Sequence, residues 1–258
     1  MARRGKVVLA ICYTLPGMND AMPWRQLLLM PDKLFGSLQI PKSPATLGQL
    51  DNDPVNTQLN ETLTKFCSSF GSIWTTPKEQ SGKEVQDVLP FEKFDFSSNY
   101  FSANYPLSMH QDYFYESDPP GLTFIWCIRN NEQAETFLVD LSFCFSQLSN
   151  SDQEVLESPS FAMSDYSSAP VWVTYPIRNP TNNKFRYDED LIQPLTDDAE
   201  RAWKNLTNTV KSNYQTLKLQ PNEILIINNR ACAHGRGNFS PDRRQSRRWL
   251  KRCLVSDL

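Results

Sequence analysis

The chain has 258 residues with 26 basic and 29 acidic side chains, a formal net charge of −3. That length can bury the core of one catalytic domain, and so slight a charge imbalance gives no reason to expect nucleic acid or a membrane surface as partner. The six cysteines, Cys12, Cys67, Cys127, Cys144, Cys232 and Cys253, lack a Cys-x-x-Cys spacing, which argues against a zinc ribbon or thioredoxin-type site; free thiols in a reducing, cytoplasmic setting are expected.

In chain order, a basic start, Met1 to Lys6, precedes the apolar run Val7 to Tyr13. That run is at the short limit for a signal peptide and lacks a small-residue cleavage site, and no stretch approaches the length of a membrane span. Residues 1–82 are punctuated by Pro, Asn and Asp and predict a helical or irregular flank outside the core, with one helix from Asn56 to Phe70 on which Leu59, Leu63 and Phe66 share a face. From 83 to 258, short aromatic and β-branched runs alternate with turn clusters such as Asp118-Pro119-Pro120-Gly121, the pattern of a sandwich or barrel. Leu122, Phe124, Trp126 and Ile128 interleave with Thr123, Ile125 and Cys127, as in a strand buried on both faces. A short apolar helix is expected from Asp140 to Gln147, and a longer one starting near Asp197, whose pairing with Glu200 resembles a capping box. Ala199, Trp203, Leu206 and Val210 line one side of it. The Ser-rich stretch from Ser158 to Ser168 reads as a mobile loop or lid. The whole chain, 1–258, is expected to form one domain.

Only two histidines occur, His110 and His234. His110 opens His110-Gln111-Asp112, and side chains alternate along a strand, so His110 and Asp112 share a side. His234 follows the apolar run Ile224 to Ile227 and precedes Arg248 by 14 residues (248 − 234). Two imidazoles and a carboxylate make the facial triad of non-haem iron(II) enzymes, and a guanidinium suits bidentate grip of a dicarboxylate. Alone, His-x-Asp is a weak signal, and composition alone favours reading Arg243, Arg244, Arg247, Arg248, Lys251 and Arg252 as a solvated basic tail.

Several stretches in order resemble the clavaminate synthase-like branch of the Fe(II)/2-oxoglutarate oxygenases, within the taurine dioxygenase superfamily. They are Glu79 to Pro90, Leu107 to Asp112, Cys127 to Asn130 with Ala134-Glu135-Thr136, Phe185 to Asp190, Asn229 to Arg236, and Arg248 to Arg252. That resemblance implies a double-stranded β-helix (jelly-roll) core over 83–258, mainly β with peripheral helices, and an Fe(II)/2-oxoglutarate-dependent dioxygenase that uses O2 to hydroxylate a small amino acid, arginine first and lysine second. It assigns His110, Asp112 and His234 to the metal, Arg248 and Thr136 to the distal carboxylate of 2-oxoglutarate, and Gln86, Asp188, Asp190 and Arg252 to the substrate. An intact Asp112 favours hydroxylation or desaturation over halogenation, which needs the carboxylate replaced by a small residue. Many members of the branch carry Glu where this chain has Asp112, a departure that bears on amine binding rather than on iron. Alternatives are a carrier-bound or other small substrate, a catalytically inactive jelly-roll binding protein, and a zinc hydrolase, which leaves Arg248 and Thr136 without a role.

Overall fold

The computed structural model describes residues 6–10, 26–29, 53–75, 84–88, 106–130, 133–165, 169–238 and 248–256. Its largest sheet has the order β2-β1-β11-β5-β13-β3, built from β1 (Lys6–Ala10), β2 (Gln26–Leu29), β3 (Val85–Val88), β5 (Leu122–Arg129), β11 (Glu223–Asn228) and β13 (Trp249–Val255). Facing it is a four-stranded sheet, order β10-β6-β12-β4, from β4 (Leu107–His110), β6 (Thr136–Asp140), β10 (Gln215–Leu217) and β12 (Cys232–Arg236). From β10 to β13 successive strands alternate between the two sheets, as do β4, β5 and β6, and the result is the double-stranded β-helix that the resemblance implies. A third sheet, β8-β7-β9, comprises β7 (Phe161–Met163), β8 (Val173–Tyr175) and β9 (Ile192–Pro194).

The side-chain alternation of β5 explains why the strand is buried along its whole length. Ile125 and Cys127 point between the sheets, where they meet Leu225, Ile227 and Leu250 from their own sheet and Leu138 and Cys232 from the other. Phe124, Trp126 and Ile128 point outward and are covered by Leu59, Leu63 and Phe66 of helix α1 (Pro54–Cys67). That helix opens with Pro54 behind an N-cap, Asp53, whose carboxylate accepts from Val55 N at 2.9 Å. Leu59 and Leu63 are 1% exposed, so truncating either to Ala should cost roughly 2–5 kcal/mol. The outer face of the smaller sheet, represented by Val139 and Ala233, is covered by α2 (Leu141–Ser146), α3 (Asn150–Leu156) and α4 (Asp197–Asn213), with Trp203 and Leu206 of α4 in that layer.

Several expectations change. Within the described part of the 1–82 flank, two elements join the core: β1 pairs in parallel with β11, Lys6↔Glu223 through Ala10↔Ile227, and α1 seals the large sheet. The apolar N-terminal run has a physical reason to pair there, because β11 would otherwise present a row of open backbone groups at the sheet edge. Helix α4 is capped by the hydroxyl of Thr196, which accepts from Ala199 N at 3.1 Å, not by Asp197, which lies inside the first turn. The Ser-rich stretch is in part strand β7, anchored by the buried Phe161 and Met163. Cys232 is disulfide-bonded, against the expectation of six free thiols. Among the described residues no helix is long and apolar enough to cross a membrane.

Candidate metal centre

His110 ends β4 directly opposite His234 of β12, and their ring centroids are 4.4 Å apart. This close approach depends on Gly235: a Cβ there would lie 2.8 Å from the Leu107 carbonyl oxygen and 3.0 Å from Met109 Sδ, so a side chain would push β4 away from β12. The strand ends at His110, and the chain stays beside the segment 187–189 through Gln111 N→Tyr187 O at 2.8 Å and Glu189 N→Met109 O at 3.2 Å. Tyr113, at φ 55°, then turns it away. Asp112 is thus presented by a braced turn rather than by a continuing strand.

Asn229 supplies much of the brace. Its carboxamide oxygen accepts from Asp112 N at 2.8 Å, while its Nδ2 donates to Asp112 O at 2.9 Å and to Pro120 O at 3.1 Å. Gln111 Nε2 donates to the Asn229 carbonyl. Both side chains are buried, where a lost hydrogen bond is not replaced by water. Each carboxylate oxygen of Asp112 is also engaged. Oδ2 accepts from Thr123 Oγ1 at 2.7 Å and lies 3.7 Å from His234 Nε2; Oδ1 accepts from Arg252 Nη1.

One ligand atom from each of His110, Asp112 and His234 lies within 4.8 Å of the others, and all three residues are buried. Burial pushes the Asp112 carboxyl upward, but the charges of Arg252, His234 and His110 and the Thr123 hydroxyl outweigh it and bring the group down to about 2. Burial lowers His234 to about 3, with His110 and Arg252 adding to the effect and Asp112 opposing it. An ionised carboxylate and a neutral imidazole are the protonation states that metal ligation requires. His110 Nδ1 sits 2.8 Å from the Ser108 carbonyl, a pairing in which the ring must donate, so Nε2 is left as the ligating nitrogen. The donor set suits a divalent transition metal, iron(II) among them.

The other expected site residues divide into groups. Gln86 lies opposite Arg252 across β3 and β13, and its Oε1 accepts from Arg252 Nε at 2.8 Å and from Nη2, so Gln86, Arg252 and Asp112 form one connected cluster. Thr136, on β6, and Arg248, the residue just before β13 of the other sheet, are both buried; burial pushes up the thiol of Cys127, which points between those sheets, and the Arg248 charge opposes that rise. Asp188 forms an isolated bridge with His110, and its Oδ1 accepts from Asp190 N at 2.8 Å and Leu191 N at 3.0 Å. Asp190 is exposed on the same turn. Sequence reasoning missed Thr123, Asn229 and Arg236, a buried arginine directly opposite Thr136 in the β12–β6 register. It also missed Asp165, buried next to Ser164, whose N donates to Leu191 O at 3.3 Å. Asn229 and Arg236 lay within a stretch already singled out; Thr123 carried no sequence signal beyond its place in an apolar strand.

A jelly roll holding two histidines and a carboxylate between its sheets defines the non-haem metal class of that fold. The chain belongs to the taurine catabolism dioxygenase TauD, TfdA family, whose model matches residues 54–254. It is 27% identical over 190 residues to an L-asparagine oxygenase of Streptomyces coelicolor, a match covering 69% of this chain and 55% of that protein. It is 24% identical over 225 residues to an L-ornithine/L-arginine 3-hydroxylase of Catenulispora acidiphila, covering 73% and 64%. This chain therefore spans somewhat over half the length of these curated relatives. The fold matches a crystal structure of asparagine oxygenase in complex with Fe(II), 2S,3S-3-hydroxyasparagine and succinate, with a TM-score of 0.73, 21% identity, and coverage of 88% of this chain and 72% of that one.

Proposed function

We propose that this protein is an Fe(II)/2-oxoglutarate-dependent dioxygenase that hydroxylates an unactivated C–H bond of a small free amino acid with a basic side chain, arginine first and lysine second. The observation that carries the reading is the buried His110, Asp112 and His234 cluster, with its fixed tautomer and depressed carboxyl, inside a fold of this family. When bound, iron(II) supplies dioxygen activation that couples oxidative decarboxylation of 2-oxoglutarate, yielding succinate and carbon dioxide, to oxidation of the substrate.

The chain's own residues bind, orient and exclude water. Arg248 and Thr136 are assigned to the distal carboxylate of 2-oxoglutarate, for which a buried planar guanidinium provides a paired donor. Arg252 and Gln86 are assigned to the α-carboxylate and amino group of the substrate, and in that role the substrate carboxylate takes over guanidinium donors now shared between Asp112 and Gln86. Buried Asp188 and Asp165, with exposed Asp190, make the neighbouring loop acidic, which favours a cationic side chain. The relatives named for asparagine and for ornithine or arginine support the amino-acid class.

A second reading, a neutral amide side chain, is favoured by Asp188, whose Oδ1 is already committed to two backbone N–H groups. The test is succinate formation by protein loaded anaerobically with Fe(II) and 2-oxoglutarate, then exposed to oxygen with each proteinogenic amino acid in turn. Stimulation by arginine or lysine is expected. Stimulation by asparagine alone selects the second reading, and succinate formation that does not depend on added Fe(II) overturns the oxygenase reading.

A further inference from the structure

The backbone of Asp112 is pinned at both its N–H and its C=O by the Asn229 carboxamide, so the remaining freedom of the residue is rotation of its side chain. Two groups compete over that rotation. Arg252 draws Oδ1 toward β13, while Thr123 Oγ1 donates to Oδ2 at 2.7 Å, on the side where Oδ2 lies 3.7 Å from His234 Nε2. Thr123 is fully buried, on the face of β5 that points between the sheets. Its backbone is fixed on both sides, opposite Ile227 of β11 and Leu254 of β13. The hydroxyl is therefore mounted in the middle of the large sheet and has little room to move.

We propose that Thr123 is a positioning residue for the metal-ligating carboxylate: its hydroxyl holds Asp112 Oδ2 beside His234 against the pull of Arg252 on Oδ1. The inference rests on the metal-centre reading above and adds to it a residue outside the triad. Partners that orient a ligating group typically carry 10–100-fold of metal affinity. Without the hydroxyl, the Arg252 ion pair is left to set the carboxylate, and a metal must compete with a buried guanidinium for it.

The experiment is an anaerobic titration of chelator-stripped protein with cobalt(II), followed by its visible absorption, for the wild type, Thr123→Val, Thr123→Ala and Thr123→Ser. Thr123→Val keeps the side-chain shape and loses the donor; should it fail to fold, Thr123→Ala reports the same loss. Both should weaken cobalt binding by roughly 10–100-fold, and Thr123→Ser should restore it, which a role in packing alone would not predict. In an Arg252→Gln background the loss caused by Thr123→Val should shrink, because the competitor is gone. Wild-type affinity in a folded Val or Ala variant, failure of Ser to restore binding, or an undiminished loss without Arg252 would each overturn the proposal. A wild-type protein that takes up neither cobalt nor iron would instead overturn the metal centre itself.

Discussion

The two faces of β13 bury adjacent cations in opposite circumstances. Lys251 points outward beneath α1, where its ammonium donates to Asn56 Oδ1 and Asn60 Oδ1 at 2.6 Å each and to Asp87 Oδ1 at 2.7 Å; the same Asp87 oxygen accepts from Trp249 Nε1 at 2.7 Å. Three protons meet three acceptors, and helix, strand and indole are tied together. Arg252, one residue on, points inward and is held by Gln86 and by the carboxylate assigned to a metal. Its partners are themselves groups that a metal and a substrate would claim. A buried ion pair is costly to break from one side, so the first cluster suits permanence, whereas the second has alternative partners of like charge. The lesson is that burial of a charge alone does not mark a functional site; what distinguishes the inner cluster is that its acceptors have another use.

The sharpest way to break this contrast is Asp112→Ala, which should abolish metal binding and Fe(II)-dependent succinate formation in a protein whose circular dichroism is retained. Retained binding, by metal analysis, would remove Asp112 from the cluster. Next in size, Asp87→Ala on the outer face should lower unfolding stability by about 3–5 kcal/mol, the range for a buried pair broken from one side, while the fraction that remains folded still binds metal. Denaturant titration checks it, and a loss of metal affinity without loss of stability would reverse the roles of the two faces. Third, Arg252→Gln should weaken binding of the amino-acid substrate by roughly 1.5–3 kcal/mol, the range for a charge-assisted hydrogen bond, with less effect on 2-oxoglutarate. Calorimetry of the anaerobic complex separates the two.

The most gradual effect concerns acidity. In the metal-free protein His234 is lowered to about 3, so between its ordinary value near 6.5 and about 3 the unfolded chain holds a proton that the folded chain lacks. Stability contributed by neutral His234 is therefore present above that window and lost as pH falls through it, at up to about 1.4 kcal/mol per pH unit. Asp112, lowered to about 2, acts in the same direction at still lower pH. Thermal melts of stripped protein between pH 7 and 4 should show this slope, and His234→Gln should flatten it; equal slopes would mean that His234 is protonated in the folded state.

Local chemistry made much of this legible in advance. The alternating run in β5, the apolar side of α4, and the two histidines with Asp112 could be read because periodicity and scarce residue types survive in one dimension. Lys251 could not be separated from the basic run around it, since Asn56, Asn60 and Asp87 meet it only after α1 and β3 have packed. Thr123 was hidden for a similar reason: its hydroxyl finds Asp112 through a contact between sheets. The N-terminal strands were lost because β1 pairs with β11, more than 200 residues away, and no local pattern reports a distant partner.

The alternation of strands between sheets also fixes when the metal cluster can exist. His110 and His234 are separated by 124 positions (234 − 110) and meet only through β4 against β12. During synthesis the first half of the cluster therefore emerges long before the second, and contacts of such separation form slowly. A nascent chain carries His110 and Asp112 past the ribosome exit with no third ligand, so metal acquisition belongs to the finished fold and should lag behind the appearance of secondary structure in a refolding experiment.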